Sequence, residues 1–255
     1  MSRAWHAVGL VSSESMAGVQ SVPLIREIGM PDDQGDVDDL LAQCWPLLHE
    51  DERKSSAGLT GRRRTEWVLG RVAIKESVRA WQAGAGHAVT PASQIQVRVD
   101  DRGAPYVAGL EAAAPEVSLA HTRARRNAAD SVMVGTVLAA ANTPGIRVGI
   151  DVESRDRPLP HAARLLDEHE QSLIDDEFGA IGLLVAKEAA AKAAGTGLAG
   201  SLRRWPVLAR FGSLVQIGDR EGRSRTVGLA VEGTWIVAVC SSAWDSHGLA
   251  SPVLN

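Results

Sequence analysis

The chain has 255 residues and a mass of 27.0 kDa, with 45% apolar and 23% charged residues. This is the length of one large or two small globular domains, and the composition excludes a wholly disordered chain. The 27 basic and 31 acidic side chains give a net charge of −4, which argues against a dedicated nucleic-acid-binding protein. The two cysteines are too few for a disulfide framework. We expect no secretory leader and no membrane span, and we predict a cytoplasmic protein.

The first half is predicted to mix strands and helices. Valine-rich stretches favour strands, and apolar residues at helical spacing favour helices. In chain order, the predicted elements are a strand pair (4–11 and 19–28), a short helix capped by Asp36 and reaching Leu48, a polar loop (55–61), a long helix (62–81), a strand–turn–strand unit (95–107) and a strand (117–120) ending at His121.

The second half repeats the mixture. It begins with a strand over 146–153, which follows an Asn-Thr-Pro-Gly break. The other predicted elements are two helical stretches (162–175 and 180–194) and three strands of an antiparallel meander (214–217, 225–231 and 234–240).

Both halves carry a helix with a Lys-Glu pair, then a strand–turn–strand unit, then a further strand. The pairs are Lys75-Glu76 and Lys187-Glu188, and the following elements come at similar distances. We interpret this as an internal duplication. The predicted fold class is therefore α+β, with two similar subdomains, 1–143 and 144–255, each a small antiparallel sheet packed with a long helix.

Asp151 and Glu153 lie two residues apart on a predicted strand. Alternation along a strand puts both carboxylates on one face, while Ile150 and Val152 point the other way. Two adjacent carboxylates repel each other unless a cation lies nearby, and hard oxygen ligands suit Mg²⁺. The alternative is a strand end with two solvated acids.

Glu188 lies in an alanine-rich helix, beside Lys187 and one turn before Lys192. The simple interpretation is an ordinary i,i+4 ion pair on a solvated face. The rest of the segment 180–194 carries no other charge, which argues against such a face and favours a functional role.

Two basic features could bind anions. Arg62, Arg63 and Arg64 start a helix that continues through Arg71 and Lys75, and helix N–H groups with basic side chains attract phosphate. His121 precedes an arginine-rich segment, which also favours anions. The alternatives are a solvated helix start and a structural histidine.

The order and spacing of these motifs resemble the 4′-phosphopantetheinyl transferases. The matching segments are Gly70–Lys75, Gly103–Pro105, Ser118–His121, Gly149–Glu153, Lys187–Lys192 and Gly195–Leu198. The length and the duplicated halves look like the surfactin-type branch, a monomer of two similar subdomains.

The resemblance implies a Mg²⁺-dependent enzyme that transfers 4′-phosphopantetheine from coenzyme A to a serine of a carrier protein and releases 3′,5′-ADP. Coenzyme A would bind between the two halves. The partner would be an acyl, aryl or peptidyl carrier, received by the apolar edge after Pro160, with no nucleic acid or membrane involved. Mn²⁺ is the alternative ion.

The resemblance also assigns roles to residues. Asp151, Glu153 and Glu188 would hold the metal, and Glu188 and Lys192 would be catalytic. The expected coenzyme A contacts are Arg62, Arg63, Arg71, Lys75, Gly103, Pro105, Ser118, His121 and Lys187.

Three positions depart from the family pattern, namely Ala104, Leu184 and Val185, and none of them is a metal ligand. One competing interpretation is a Mg²⁺-dependent nuclease, but the lysine it needs after Glu153 is replaced by Ser154-Arg155. The other is a non-catalytic descendant that binds carrier proteins or coenzyme A.

Overall fold

A computed structural model describes residues 6–7, 21–29, 34–110, 114–126, 129–139, 147–156, 162–198 and 201–241. Side chains are described within 37–110, 114–122, 147–156, 162–198 and 201–241. The predicted boundary between subdomains, at 143/144, lies outside the described residues.

The first half contains six strands and three α-helices among its described residues. They are β1 (His6–Ala7), β2 (Ser21–Gly29), α1 (Gln34–Cys44), α2 (Glu50–Ala57), α3 (Gly61–Gly84), β3 (Gln96–Val99), β4 (Pro105–Ala108), β5 (Glu116–Arg126) and β6 (Ala129–Ala139). The second half contains β7 (Val148–Ser154), α4 (Glu168–Ser172), α5 (Gly179–Ala193), β8 (Val207–Phe211), β9 (Leu214–Gly218), β10 (Ser224–Glu232) and β11 (Trp235–Ser241).

All paired strands are antiparallel. The first half has a four-stranded sheet in the order β1-β2-β6-β5 and a β3-β4 hairpin, and the second half has a five-stranded sheet in the order β7-β11-β10-β9-β8. β4 lies beside β5, and β5 lies against β7. These observations confirm the α+β fold class.

Each half has its own apolar core. In the second half, α5 packs on β7 and β11, because small residues such as Ala186 and Ala190 let the helix approach Ile236 and Ala238 closely. In the first half, Ile74 and Val78 on one face of α3 pack in a cluster with four further apolar residues, Ile95, Val97, Val107 and Val117.

The order of elements repeats. Apart from α1, which lies between β2 and α2 and has no counterpart among the described residues of the second half, the order of elements is the same. A strand, a short helix, a long helix, a hairpin and two strands follow one another as β2-α2-α3-β3-β4-β5-β6 and as β7-α4-α5-β8-β9-β10-β11. The strand pairs β2·β6 and β6·β5 correspond to β7·β11 and β11·β10. This order agrees with the duplication, which stays a prediction because shared order does not by itself show shared origin.

Several boundaries differ from the prediction. The helix predicted to start after Asp36 starts at Gln34, and the loop predicted over 55–61 is wrong because α2 runs to Ala57. A capping box formed by His49 and Glu52 starts α2, a pairing of side chain and backbone that stabilises a helix start.

The strand predicted to end at His121 continues to Arg126, because its backbone pairs with β6 along its whole length. The helix predicted over 162–175 is a 3-10 turn, Ala162–Leu165, followed by the short α4. Strand β8 was not predicted. Over the described ranges, none of the helices is both long and apolar enough to cross a membrane.

Candidate functional site

A glycine sets the distance between α5 and β7. A Cβ atom at Gly149 would lie 2.0 Å from the Ala189 carbonyl oxygen and 2.6 Å from the Ala193 amide nitrogen. Real Cβ atoms do not come so close to backbone, so only glycine permits this approach. The close packing brings the C-terminal turns of α5 over Asp151, which follows Gly149 by two residues on β7.

Lys192 joins the two acidic motifs. Its ammonium donates to the Ile150 carbonyl at 3.0 Å and to Asp151 Oδ1 at 2.8 Å, and it lies 3.4 Å from Glu188 Oε1 on the same helix. The predicted strand carboxylate and the predicted helix pair therefore meet at one point. This ammonium is the group that lies between Asp151 and Glu188.

Asp151 is 8% exposed, and its surroundings change the pKa of its carboxyl group strongly. Burial raises the pKa of this carboxyl to about 7, the Lys192 ammonium opposes the rise, and the negative charges of Glu188 and Glu153 add to it. Glu153 and Glu188 thus both lie within electrostatic range of Asp151. With all groups ionised, three carboxylates and one ammonium leave a net charge of −2, which a divalent cation would balance.

Glu153 is held from the other half of the molecule. The Thr122 hydroxyl of β5 donates to Glu153 Oε2 at 2.7 Å. Four residues earlier on β5, Ser118 Oγ accepts the Ile150 amide of β7 at 3.2 Å. The contact of Ser118 with coenzyme A stays a prediction: Ser118 is 5% exposed, and its oxygen accepts a hydrogen bond inside the protein.

The donor chemistry of the three acids suits a hard divalent cation. Their side chains do not surround one position, however: in the part of the chain that the structure describes, no three carboxylate, imidazole or thiolate groups lie close enough together to hold a metal ion. The Lys192 ammonium, bonded to Asp151, accounts for this, since it takes the place between the strand and helix carboxylates. A cation at that place would need the ammonium to leave.

Lys75 and Lys187 have internal partners. Lys75 is 0% exposed, pairs with Glu52 at 2.6 Å and donates to the carbonyls of Leu47, Ala92 and Ile95. Burial lowers the pKa of Lys75, and the Glu52 carboxylate partly offsets that effect.

Lys187 is 1% exposed and pairs with Glu170. The contact of Lys75 and Lys187 with coenzyme A stays a prediction, and both ammonium groups are buried in internal ion pairs. Both lysines tie their helix to a short helix and so stabilise their own half of the fold.

The arginines at the start of α3 remain accessible in part. Arg62 and Arg63 are exposed, and Arg62 pairs with Glu66 at 3.0 Å. Arg71 is 8% exposed, and its guanidinium lies 4.4 Å from the centre of the Trp67 ring, in a cation–π contact. Burial lowers the pKa of Arg71. The exposed pair is better placed to meet a phosphate than the buried Arg71.

The β3–β4 turn reaches the end of α5. Gly103 has a φ of 83°, and its amide donates to the Asp100 carbonyl at 2.9 Å, so this turn favours glycine. Arg102 Nη1 donates to the Gly195 carbonyl at 3.4 Å across the two halves. Pro105 starts β4, and His121 is exposed on β5. The structure therefore places the predicted glycine turns of the two halves side by side.

Three residues whose contacts shape this region were not predicted from the sequence. Thr122 follows His121, and its contact with Glu153 spans 31 residues of chain. Glu52 and Glu170 are each the third residue of a short helix and complete its capping box. The Ser/Asp-x-x-Glu type of spacing was a signal for Glu170, whereas Glu52 is preceded by a histidine cap, which is not among the common capping residues.

No family model matches the chain. Similar curated proteins include the holo-[acyl-carrier-protein] synthases of Bacillus thuringiensis (strain Al Hakam), Bacillus cereus (strain AH820) and Bacillus anthracis. Each is 38% identical over 78 residues, which is 30% of this chain and 65% of the relative. The match therefore spans slightly less than two thirds of the length of these relatives.

A solved structure is also similar. It is a crystal structure of a holo-(acyl-carrier-protein) synthase from Bacillus anthracis str. Ames in complex with CoA (3′,5′-ADP), with 25% identity and a TM-score of 0.31. The match covers 46% of this chain and 95% of that one.

Proposed function

We propose that this chain, whose similarity to holo-[acyl-carrier-protein] synthases supports its membership of the 4′-phosphopantetheinyl transferase superfamily, transfers 4′-phosphopantetheine from coenzyme A to a serine of a carrier protein. The serine oxygen would form a new bond to the phosphorus of the phosphopantetheine group. The pyrophosphate bond would break, and 3′,5′-ADP would leave.

One observation carries the proposal: the Gly-Ile-Asp-x-Glu strand and the Lys-Glu-x-x-x-Lys helix meet through Lys192. Its ammonium is 2.8 Å from Asp151 and 3.4 Å from Glu188. A divalent cation held by these acids, with the Lys192 ammonium beside it, would attract and orient a negatively charged pyrophosphate.

Asp151, Glu153 and Glu188 would hold Mg²⁺, with Mn²⁺ as the alternative ion. Support comes from the surroundings of Asp151, whose pKa is raised chiefly by burial and further by the negative charges of Glu188 and Glu153. When bound, the metal would neutralise charge on the pyrophosphate and on the leaving 3′,5′-ADP.

Glu188 would accept a proton, and Lys192 would stabilise negative charge. The Glu188 side chain is 39% exposed, so it can reach a serine hydroxyl presented from solvent and accept its proton. Lys192 is 24% exposed. Once released from Asp151, its ammonium would face the oxygens of the transferred phosphate, where a positive charge stabilises the transition state.

Among the predicted coenzyme A contacts, Lys75, Lys187 and Ser118 are buried. The exposed candidates are Arg62, Arg63 and His121, together with the Gly103–Pro105 turn. Positively charged groups would meet the 3′-phosphate. Arg71, which stacks on the Trp67 ring, would not touch the 3′-phosphate, and its positive charge would act on that phosphate from a distance.

We further propose that the protein is a two-subdomain monomer of the surfactin type that modifies acyl, aryl or peptidyl carriers. The repeated order of elements supports the two-subdomain organisation. The exposed Leu165, just beyond Pro160, supports the predicted docking edge for the carrier.

The test is intact-mass spectrometry of purified apo carriers of the acyl, aryl and peptidyl classes, incubated with the full chain, coenzyme A and Mg²⁺. Glu188→Gln should abolish the gain of one phosphopantetheine mass, as should a chelator. The matched control is Glu76→Gln, since Glu76 follows Lys75 as Glu188 follows Lys187, but pairs with Arg79 at 2.9 Å away from the site. This control should retain activity.

Two other outcomes would contradict the proposal. If no carrier gains mass while coenzyme A still binds, the chain is the non-catalytic descendant. If Glu76→Gln loses activity as fully as Glu188→Gln, the loss is not specific to the position of Glu188, and the catalytic role proposed for Glu188 is wrong.

A further inference from the structure

Two hydroxyl side chains of β5 hold the acidic end of β7. Ser118 and Thr122 are four residues apart on one strand, so they lie on the same face. Ser118 Oγ accepts the Ile150 amide at 3.2 Å, and the Thr122 hydroxyl donates to Glu153 at 2.7 Å. The two contacts bracket Asp151.

Both hydroxyls are buried, with Ser118 5% and Thr122 7% exposed. Water therefore does not readily replace either bond, and a buried group that loses its partner is penalised. The bond from Thr122 is to a carboxylate, which makes it stronger than a bond between neutral groups. One hydroxyl thus fixes the strand backbone and the other fixes the carboxylate.

We propose that Ser118 and Thr122 form a hydroxyl clamp, in which the first half of the molecule positions the acidic residues of the second half. Thr122 is a positioning residue: it acts on substrate and cation through the orientation of Glu153. The inference rests on the proposed function, since it assigns the clamp to the proposed cation site.

The orientation matters because Glu153 has rotatable side-chain bonds that a bound cation would otherwise have to freeze. A hydrogen bond that already selects one orientation lowers this entropic cost. Partners of this kind, behind the ligands of a metal, typically change metal affinity or activity by about 10–100-fold when they are removed.

The first experiment measures binding of Mn²⁺ alone, by electron paramagnetic resonance of the free ion, to the full chain. Thr122→Val removes the hydroxyl and keeps the shape, and it should weaken binding by about tenfold or more. Thr122→Ser keeps a hydroxyl and should restore binding to within about twofold of the wild type. Full binding by Thr122→Val would overturn the clamp.

Thr65→Val is the matched control for the loss of a buried threonine hydroxyl. Thr65 is 1% exposed and bonds within its own helix, to the Gly61 carbonyl at 3.4 Å. It should leave Mn²⁺ binding unchanged. If Thr65→Val weakens binding as much as Thr122→Val, the effect is general loosening of the fold and the clamp is wrong.

A second experiment separates the clamp from the proposed function. Urea unfolding of Thr122→Val, Glu153→Met and the double variant measures the coupling of the two residues without substrate or metal, because methionine removes the oxygen that accepts from Thr122. We expect non-additivity of about tenfold in the unfolding equilibrium constant, and additivity would overturn the clamp. Should the wild type neither bind Mn²⁺ nor modify any carrier, the proposed function fails, and this cycle still decides whether Thr122 holds Glu153.

Discussion

Lys187 and Glu170 form an ion pair that is almost wholly shielded from solvent, with 1% and 3% of the two side chains exposed. Lys75 and Glu52 form the same pair in the first half, with 0% and 3% exposed. In each half the lysine comes from the long helix, and the glutamate is the third residue of a short helix, where it completes the capping box.

The two ion pairs also resemble each other in the backbone hydrogen bonds that their glutamates accept. Glu170 Oε1 accepts the amide of Val207, at the start of β8, at 2.9 Å, and Glu52 Oε1 accepts the amide of Val97, in β3, at 2.9 Å. Each glutamate therefore ties two helices and one hairpin together. These matched contacts support the predicted duplication more specifically than the order of elements does.

Lys187→Met should destabilise the protein, because it leaves the buried Glu170 carboxylate without its counter-charge. Breaking one side of such a pair typically costs about 3 kcal/mol or more. Lys75→Met should have a similar effect. Urea unfolding measures both, with Lys54→Met as the control, since Lys54 pairs with Glu50 on an exposed face and should change little. An unchanged midpoint for Lys187→Met would show that the pair does not stabilise the fold.

Lys192→Met should have opposite effects on metal binding and on transfer. Its ammonium lies where a cation between Asp151 and Glu188 would lie, so its removal should tighten binding of Mn²⁺ alone by roughly tenfold, or about 1.4 kcal/mol. The rate of transfer should fall, because the charge that faces the phosphate is lost. Titration with Mn²⁺ and the carrier mass assay measure the two effects, and weaker Mn²⁺ binding would contradict the competition.

Gly149→Ala should both destabilise the fold and impair the site. The new Cβ would meet the Ala189 carbonyl oxygen at 2.0 Å, so α5 must move away from β7. Overpacking of this kind costs about 1–3 kcal/mol or more, and the shift separates Lys192 from Asp151. Gly84→Ala is the control, since its Cβ would meet nothing within 4 Å. Thermal unfolding compares the two, and equal stability would mean that the strand and helix tolerate separation.

Asp219 should contribute stability that disappears in acid. Burial favours its neutral form, but hydrogen bonds from Arg223 and Arg225 outweigh burial and lower the pKa of Asp219 to about 2. Because the folded pKa is below the ordinary 3.8, the contribution of about 2 kcal/mol is present above pH 4 and is lost as pH falls towards 2. Urea unfolding of the wild type and Asp219→Asn should differ at pH 6 and converge near pH 2. A difference that does not depend on pH would contradict the prediction.

The sequence by itself determined the α+β class, the long helices and the acidic pairs. Asp151 and Glu153 share a strand face, and Glu188 and Lys192 lie one helical turn apart, because local backbone geometry imposes these relations. The order of the motifs also resembles that of the superfamily in which we propose to place the chain, and the chain is 38% identical to holo-[acyl-carrier-protein] synthases over 78 residues.

Only the tertiary structure decided which charged side chains face the site. Lys75 and Lys187 looked like anion ligands, but their charges are taken up by Glu52 and Glu170, which are distant in sequence. Thr122 acquired its contact with Glu153 only because β5 packs against β7. Such pairings depend on how elements of the two halves pack, since the free energy of a charge depends on the groups that surround it in the folded molecule.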